Sequence, residues 1–254
     1  MKNIFLFLII MSSNLSFAQF DSLSSAVFSY KNSPKTEDEI RISTPFFKEK
    51  STKFLEKFSI HHTLLKPKHI LRPAHIQQND EEFILISEGE LTVTINGETK
   101  VLGAGSAFVI LPGDEQMMNN LGNSNTGYYV LIYKAKKQRV RAEIGKSMFY
   151  NINDISFKAH DKGGRRDFMN RPTAMFDRLE MHITYLNEGL QSHAPHRHLA
   201  DEIILLLEGD ATMSIDEQEI NGRKGDFFFL PSGCFHGIKN TGKGQASYFA
   251  FQFN

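Results

Sequence analysis

The 254-residue sequence contains a single cysteine, Cys234, so no disulfide can form within the chain. Stability must therefore come from a packed core, which 41% hydrophobic residues and 22 phenylalanines can supply. No charge of one sign dominates, because 29 Lys and Arg balance 29 Asp and Glu. A nucleic-acid-binding surface normally needs a basic excess, so we expect no nucleic-acid partner. We interpret the local basic run at 134–141 as a solvated connector.

The N terminus has the only apolar run that suggests targeting, from Ile4 to Met11. Residues 1–18 have the pattern of a secretory signal peptide, with Lys2 at the start and a small-x-small site at Ser16-Phe17-Ala18. The run is too short to cross a bilayer comfortably. We therefore expect an exported chain that begins at Gln19, is periplasmic or extracellular, and does not insert into the membrane after cleavage. An uncleaved anchor is the alternative.

Two sequence blocks have the spacing of metal ligands. The first is His196-x-His198-x3-Glu202-x6-Gly209, and the second is Gly225-x5-Pro231-x-Gly233-x2-His236-x3-Asn240. Side chains alternate across a strand, so His196 and His198 project from one face and Glu202 can join them. Three imidazoles and a carboxylate that converge are costly to bury unless a cation binds them. The pattern therefore predicts a metal site.

These blocks resemble the paired signature motifs of the cupin superfamily, whose small antiparallel barrels hold one divalent metal ion. The resemblance implies metal ligands at His196, His198, Glu202 and His236. It implies structural roles for Gly209, Gly225, Pro231 and Gly233. One departure is that Gly189 stands six residues before His196 instead of five, and an extra residue in a turn costs little. Such a ligand set suits Mn, Fe, Ni, Co or Zn.

The sequence repeats itself at an offset of about 120 residues. Glu82 aligns with Glu202, Gly89 with Gly209, Gly105 with Gly225, and Asn120 with Asn240. The chain therefore resembles a bicupin, which implies an all-β fold of two tandem cupin (double-stranded β-helix, or jelly-roll) barrels. We expect the signal peptide at 1–18, an N-terminal barrel at 19–135, a linker at 136–148 and the metal-binding barrel at 149–254.

Local patterns agree with a mostly β protein. Asn96-Gly97 after an alternating run predicts a hairpin with a type I′ turn. In the run Phe227-Phe228-Phe229, alternation predicts that Phe228 lies on one face of a strand and its two neighbours lie on the other. Helix signals are sparse, with weak candidates at 49–57 and 141–146.

The N-terminal copy lacks the ligand pattern, because the equivalent positions are Ile76, Gln78, Glu82 and Gln116. Isoleucine cannot ligate a metal, and a glutamine carbonyl is a weak substitute for imidazole. We expect this barrel to have lost its metal. The alternatives are a site rebuilt with His75, a hydrogen-bonded interior, or a metal-free pocket.

Several residues near the ligands are candidates for the surroundings of a pocket. Gln191 and His193 precede the ligand strand, although the loop-like sequence favours a surface position for His193. Cys234 is more typical of a small buried hydrophobe than of a catalytic thiol. Phe235 and Tyr248 are candidates for the pocket wall, with core packing as the default.

Four further residues allow two interpretations. Arg165, Arg166 and Arg171 could pair with a substrate carboxylate, but salt links at the surface or between barrels are favoured. His182 lies on a predicted strand and could face the barrel interior, although a structural histidine with satisfied hydrogen bonds is favoured.

Three classes of function remain open from the sequence. The first is a metal-dependent enzyme (hydrolase, lyase, isomerase or dioxygenase) acting on a small polar metabolite such as a carboxylate, ureide or sugar acid. The layout resembles the ureidoglycine aminohydrolases, and the four-ligand pattern resembles the oxalate decarboxylases. The second is a non-catalytic module that binds a small ligand through its metal, and the third is a storage bicupin. A homodimer is compatible with barrels that pair through outer sheets.

Overall fold

The computed structural model describes residues 20–254, so the predicted signal peptide at 1–18 lies outside the described residues. The prediction of an all-β fold is confirmed. Within 20–254 the helical segments are two single-turn 3₁₀ helices, Arg141–Glu143 and Ile152–Asp154. No helix in this part of the chain is long and apolar enough to span a membrane.

The strands are numbered in chain order. Those up to residue 135 are β1 Ala26–Phe28, β2 Thr36–Glu37, β3 Arg41–Lys50, β4 Leu55–Leu65, β5 His69–Ile70, β6 His75–Ile76, β7 Glu81–Glu88, β8 Glu90–Ile95, β9 Glu98–Gly103, β10 Ala107–Ile110, β11 Glu115–Asn120 and β12 Thr126–Ala135. The remaining strands are β13 Met148–Tyr150, β14 Lys158–His160, β15 Gly163–Arg171, β16 Leu179–Leu186, β17 Asp201–Glu208, β18 Asp210–Ile215, β19 Gln218–Arg223, β20 Phe227–Leu230, β21 His236–Asn240 and β22 Ala246–Phe253.

Each barrel consists of a large sheet and a small sheet. The first barrel combines the seven-stranded sheet β13-β10-β7-β12-β4-β3-β2 with the small sheet β5-β11-β8-β9, in which β6 also pairs with β11. The second barrel combines β1-β20-β17-β22-β16-β15-β14 with the three-stranded sheet β19-β18-β21. The same antiparallel connectivity in both halves agrees with the internal repeat in the sequence.

The two barrels exchange edge strands. Strand β1, near the start of the chain, pairs antiparallel with β20 of the second barrel, and Val27 is opposite Phe228. Strand β13, which follows the first barrel, returns to pair with β10, and Phe149 is opposite Phe108. The division into 19–135, 136–148 and 149–254 stays a prediction about folding units, and it did not anticipate either exchanged strand.

Repeated residues have the same structural role in both halves. The Asn120 side-chain amide donates to the carbonyl oxygens of Leu65 and Ser124, at 3.0 and 2.8 Å. The Asn240 amide donates in the same way to Leu186 and Gly244, at 2.8 Å each. Each asparagine therefore ties the turn that connects the small sheet to the large sheet to the end of another strand, β4 in the first barrel and β16 in the second.

The predicted hairpin at Asn96-Gly97 is confirmed, because these residues join β8 to β9 with φ angles of 47° and 81°. Positive φ at both central positions is what a type I′ turn requires.

Phenylalanine side chains form the core between the barrels. The prediction for β20 is confirmed, since Phe227 and Phe229 face this shared core and Phe228 faces the interior of its own barrel. Phe83 of the first barrel contacts Phe249 and Phe251 of the second, with ring centroids 5.2 and 5.0 Å apart. The two large sheets therefore pack face to face through their outer surfaces.

The helix expected at 49–57 is wrong. This stretch contains the end of β3, a turn and the start of β4. Leu55 is fully buried in the core between the barrels, and burial along β4 alternates with a period of two from Lys57 to His62. Pairing with β3 and β12 overrides the weak local helix preference. The segment 141–146 contains only the 3₁₀ turn Arg141–Glu143.

Candidate metal centre

The four predicted ligands converge at the mouth of the second barrel. Glu202 is the second residue of β17, and His236 is the first residue of β21. His196 lies in the preceding loop and exchanges two 2.9 Å backbone hydrogen bonds with His236. His198 follows two residues later, and its carbonyl accepts a 2.8 Å bond from the Gly233 amide. Backbone pairing thus holds both sequence blocks against each other.

The side chains of these residues form a compact donor set. One ring nitrogen from each of His196, His198 and His236 lies within 4.8 Å of the others. Glu202 Oε2 lies 3.2 Å from His198 Nε2 and 3.1 Å from His236 Nε2. The three imidazoles, with a carboxylate next to two of them, are the ligand types that divalent transition metals prefer.

Backbone carbonyls orient two of the imidazoles. His198 Nδ1 lies 3.0 Å from the Ala200 carbonyl oxygen, and His236 Nδ1 lies 3.0 Å from that of Cys234. A carbonyl can only accept, so each Nδ1 carries the hydrogen and donates it. Each Nε2 is thereby directed toward Glu202. Metal-binding histidines commonly donate the N–H of their second ring nitrogen to such a partner.

The electrostatics favour an ionised carboxylate among the imidazoles. Burial alone would raise the pKa of Glu202, but hydrogen bonds from His198 and His236 lower it to about 2. The bond to Glu202 raises the pKa of His198, whereas burial and neighbouring histidines lower that of His196. Loss of the Nε2 hydrogens would leave this buried carboxylate facing nitrogen lone pairs, which is an arrangement suited to hold a cation.

A cavity of about 200 Å³ opens beside the donor set. Its polar wall includes Thr184, Ser192, Tyr248 and Gln252. The Tyr248 hydroxyl donates to Ser192 Oγ at 3.0 Å, and the Gln252 amide nitrogen lies 3.1 Å from His198 Nε2. Tyr248, expected near the pocket, therefore does line it.

His182 also lines this cavity, and the favoured interpretation of a satisfied structural histidine is wrong. Its Nδ1 is buried and has no hydrogen-bond partner among residues 20–254. Burial, with the nearby Arg165 charge, lowers the pKa of His182 to about 4, so the ring is neutral at physiological pH. His193 is exposed as expected, but it too borders the cavity, and its ring lies 4.3 Å from that of His196.

The three arginines have different positions. Arg165 borders the cavity, but it pairs with Asp167 and, at 2.7 Å, with Glu180. Arg166 bonds to the Ile155 carbonyl and Arg171 to the Ile144 carbonyl. The interpretation as structural links therefore fits Arg166 and Arg171. Arg165 belongs to an ion-pair network and also lines the cavity.

Cys234 and Phe235 lie beside His236 in sequence but do not line the cavity. Cys234 is buried in the core of the second barrel, and burial raises the pKa of its thiol to about 11. This agrees with the interpretation as a small hydrophobe. The Phe235 ring lies against the Arg197 guanidinium, 5.3 Å from its centroid. Gln191 pairs with Lys239 in an isolated bridge.

The equivalent positions in the first barrel have a different arrangement. Ile76 and Gln78 are exposed, while Glu82 and Gln116 are buried. The Gln116 amide donates to Glu82 Oε2 at 3.0 Å. His75 is opposite Gln116 in the β6–β11 pair. The loss of a metal from this barrel stays a prediction.

Two antiparallel β-barrels, one of them with a cluster of three histidines beside a glutamate, are typical of cupins. The cupin domain family matches residues 61–133 and 182–251, which together are more than half of the chain. The protein therefore belongs to the cupin family, with one domain in each barrel. No curated protein matches the sequence.

Solved structures share the fold over nearly the whole chain. Protein Ylba from E. coli is 16% identical, with a TM-score of 0.72 and coverage of 95% of each chain. The oxalate decarboxylase formate complex from Lactobacillus farciminis is 13% identical, with a TM-score of 0.70 and coverage of 93% of this chain and 88% of that one. AerE from Microcystis aeruginosa is 13% identical, with a TM-score of 0.68 and coverage of 87% and 97%. At such identities these likenesses show the fold alone.

Sequence reasoning missed Glu180, Thr184, Ser192 and Gln252 on the cavity wall. Three of them had a usable signal. Glu180 and Thr184 flank His182 at intervals of two on β16, and Gln252 is four residues after Tyr248 on β22. Once His182 or Tyr248 is placed inside, strand alternation places the others on the same face.

Proposed function

We propose that the second barrel binds one divalent metal ion through His196, His198, Glu202 and His236. The observation that carries the proposal is the approach of Glu202 Oε2 to the Nε2 atoms of His198 and His236, 3.2 and 3.1 Å away. Their Nδ1 hydrogens are already committed to backbone carbonyls, so the ring orientation suits coordination through Nε2. Mn, Fe, Ni, Co and Zn all accept such ligands, and in an oxidising exterior we favour Mn, Ni or Zn.

We further propose that the protein is an enzyme acting on a small polar metabolite. When bound, the ion would supply Lewis-acid or redox chemistry at positions left open by the four protein ligands. The cavity of about 200 Å³ restricts the substrate to a small molecule. Ile204, Met213 and Ile238 form an apolar wall that excludes water.

The polar wall supports a substrate with oxygen or nitrogen groups. The Ser192 and Tyr248 hydroxyls and the neutral His182 can donate or accept hydrogen bonds there. Arg165 is balanced by Asp167 and Glu180, so it contributes directed N–H groups more than net charge. A carboxylate, ureide or sugar acid fits this chemistry. One protein of the same fold is an oxalate decarboxylase in complex with formate, which supports the carboxylate class.

Metal analysis tests the proposed metal site. The wild type, His196→Ala and Glu202→Gln would be dialysed against the same metal and analysed by elemental emission spectroscopy. We expect about one ion per wild-type chain and an affinity at least about tenfold lower in both variants. Glu82→Gln, at the equivalent position of the first barrel, is the matched control and should keep the wild-type content. Equal metal content in all four proteins would contradict the site.

Turnover measurements test the proposal that the protein is an enzyme. Small dicarboxylates, ureides and sugar acids would be incubated with the metal-loaded protein and followed by mass spectrometry. Turnover that disappears in Glu202→Gln supports an enzyme. Saturable binding without turnover of any compound would instead support the non-catalytic binding module.

We also propose that the protein is exported and loses residues 1–18. The N-terminal sequence supports this, with Lys2 ahead of the apolar run and a small-x-small site ending at Ala18. Mass spectrometry of the protein recovered outside the cytoplasm should give Gln19 as the first residue. A full-length chain retained inside the cell would refute export.

A further inference from the structure

A second cleft lies at the seam between the barrels, away from the donor set. It has a volume of about 240 Å³ and is lined by Tyr30, His62, Ser87, Glu88 and Tyr129, with Lys224 and Gly225 from the second barrel. Tyr30 follows the exchanged strand β1, and the Tyr129 hydroxyl bonds to the Gly225 carbonyl at 3.3 Å. The cleft therefore combines elements of both barrels, and domain seams are a common place for small-molecule sites.

His62 is the buried polar group of this cleft. It is only 3% exposed, and its Nε2 lies 3.1 Å from Ser87 Oγ. Its Nδ1 is buried and has no hydrogen-bond partner among residues 20–254. Burial is the main cause that lowers the pKa of His62 to about 3, with smaller electrostatic contributions from His61 and Lys35, so the ring is neutral. When Nε2–H donates to Ser87, Nδ1 presents a lone pair that can accept a hydrogen bond.

Two tyrosine rings flank this imidazole. The His62 ring lies 5.0 Å from the Tyr30 ring and 4.7 Å from the Tyr129 ring, both in edge-to-face orientations. The Tyr30 ring already accepts an ammonium group from the chain itself, because Lys35 Nζ lies 4.3 Å from its centroid. Aromatic faces attract cations through the ring quadrupole.

Besides the Lys35 ammonium on the Tyr30 ring, the cleft has negative charge beside it. The exposed Glu88 carboxylate lies at the rim. Burial of the two tyrosines is the main cause of their raised pKa values, and the charge of Glu88 raises the pKa of both Tyr30 and Tyr129 further. Asp226 acts on Tyr129 in the same direction. The Lys224 ammonium at the rim is paired with Glu208. An anionic ligand would face Glu88 and an imidazole that burial keeps uncharged.

We propose that this cleft binds a small organic ammonium ion, with its charge beside Glu88 and its carbon chain against Tyr30 and Tyr129, next to the uncharged His62 imidazole. The volume is below the roughly 300 Å³ at which drug-sized ligands begin, so the ligand is a short alkylamine or an amine of similar size.

The test compares three probes of the same length on the full chain: n-butylammonium, n-butanol and n-butyrate. Binding would be followed by calorimetry or by NMR shifts of the tyrosine rings. We expect saturable binding of n-butylammonium, at least about tenfold weaker binding of n-butanol, and no binding of n-butyrate. Absence of saturable n-butylammonium binding, or equal binding of n-butanol, would overturn the proposal.

Variants locate the binding. Glu88→Gln and Tyr30→Leu should each weaken n-butylammonium binding by about five- to tenfold. Glu90→Gln, another exposed glutamate, should leave it unchanged. Because an amine could also ligate a metal ion, Glu202→Gln is measured as well and should retain wild-type affinity. Loss of binding in Glu202→Gln, or wild-type affinity in Glu88→Gln and Tyr30→Leu, would overturn this assignment.

Discussion

Glu81 allows a quantitative prediction about the stability of the seam between the barrels. Its side chain is fully buried, and Oε1 accepts a 2.8 Å hydrogen bond from the Tyr133 hydroxyl. Oε2 accepts a 3.0 Å bond from the Ala174 amide of the loop between β15 and β16. Burial outweighs these bonds and raises the pKa of Glu81 from 4.5 to about 7.

Proton linkage gives the direction in which Glu81 changes the free energy of unfolding as the pH changes. Because the folded state holds a proton that the unfolded state releases, ionisation of Glu81 lowers the free energy of unfolding as pH rises from about 4.5 to about 7. A pKa displaced from 4.5 to about 7 corresponds to a loss of about 3 kcal/mol once both states are ionised. Above about pH 7 the loss is constant.

Glu81→Gln removes this dependence while keeping the shape. The glutamine oxygen can accept from Ala174, and its amide can donate to the Tyr133 hydroxyl, which is able to accept. We therefore expect the variant to be more stable than the wild type by up to about 3 kcal/mol at pH 8, and close to it at pH 4.5.

Urea unfolding at half-unit intervals from pH 4.5 to 8.5, in the presence of a chelator, measures the effect. The difference between variant and wild type is the informative quantity, because other groups act in the opposite direction. Burial lowers the pKa of His61 to about 4 and that of His62 to about 3, so both reduce stability as the medium becomes acidic. Glu90→Gln controls for the loss of a surface charge. A difference that is flat across this range would refute the reasoning.

Three other substitutions test the packing and the turns. Asn240→Ala should lower the free energy of unfolding by about 2–3 kcal/mol in chemical denaturation, since it removes the two side-chain bonds to the Leu186 and Gly244 carbonyl oxygens; a loss below about 0.5 kcal/mol would contradict this role. Phe83→Ala should cost about 3–5 kcal/mol in the same assay, because the ring is buried between Phe249 and Phe251, and a near-neutral effect would argue against the packed seam. Gly163→Ala should markedly lower the melting temperature in calorimetry, because a Cβ there would clash with the Tyr185 carbonyl oxygen at a φ of +135°; an unchanged melting temperature would contradict this requirement for glycine.

Much of the fold could be predicted because local sequence patterns that recur along the chain determine it. Alternation placed Phe228 inside its barrel and its neighbours outside, and Asn96-Gly97 defined a turn. The ligand spacing also pointed to the cluster of His196, His198 and His236, with Glu202 next to two of them, because paired strands fix the directions of these residues.

The remainder depends on long-range contacts that leave no local signal. Nothing in the sequence Ala26–Phe28 indicates that it pairs with Phe227–Phe229, about 200 residues later. His182 was assigned the wrong surroundings, because whether a strand residue has a hydrogen-bond partner depends on what the opposite wall supplies. The stretch 49–57 was expected to be helical, since its preference for a strand comes from β12 and not from its own residues.

The exchanged strand β1 has a consequence for synthesis of the protein. Strand β1 is made before the other described strands, but it pairs with β20, which is among the last of them. The large sheet of the second barrel therefore cannot gain its outermost strand, β1, until nearly the whole chain has been translated. A protein shortened to begin after Phe28 would expose the free amides and carbonyls along β20, and such an edge is a template on which another molecule can add a strand and start aggregation.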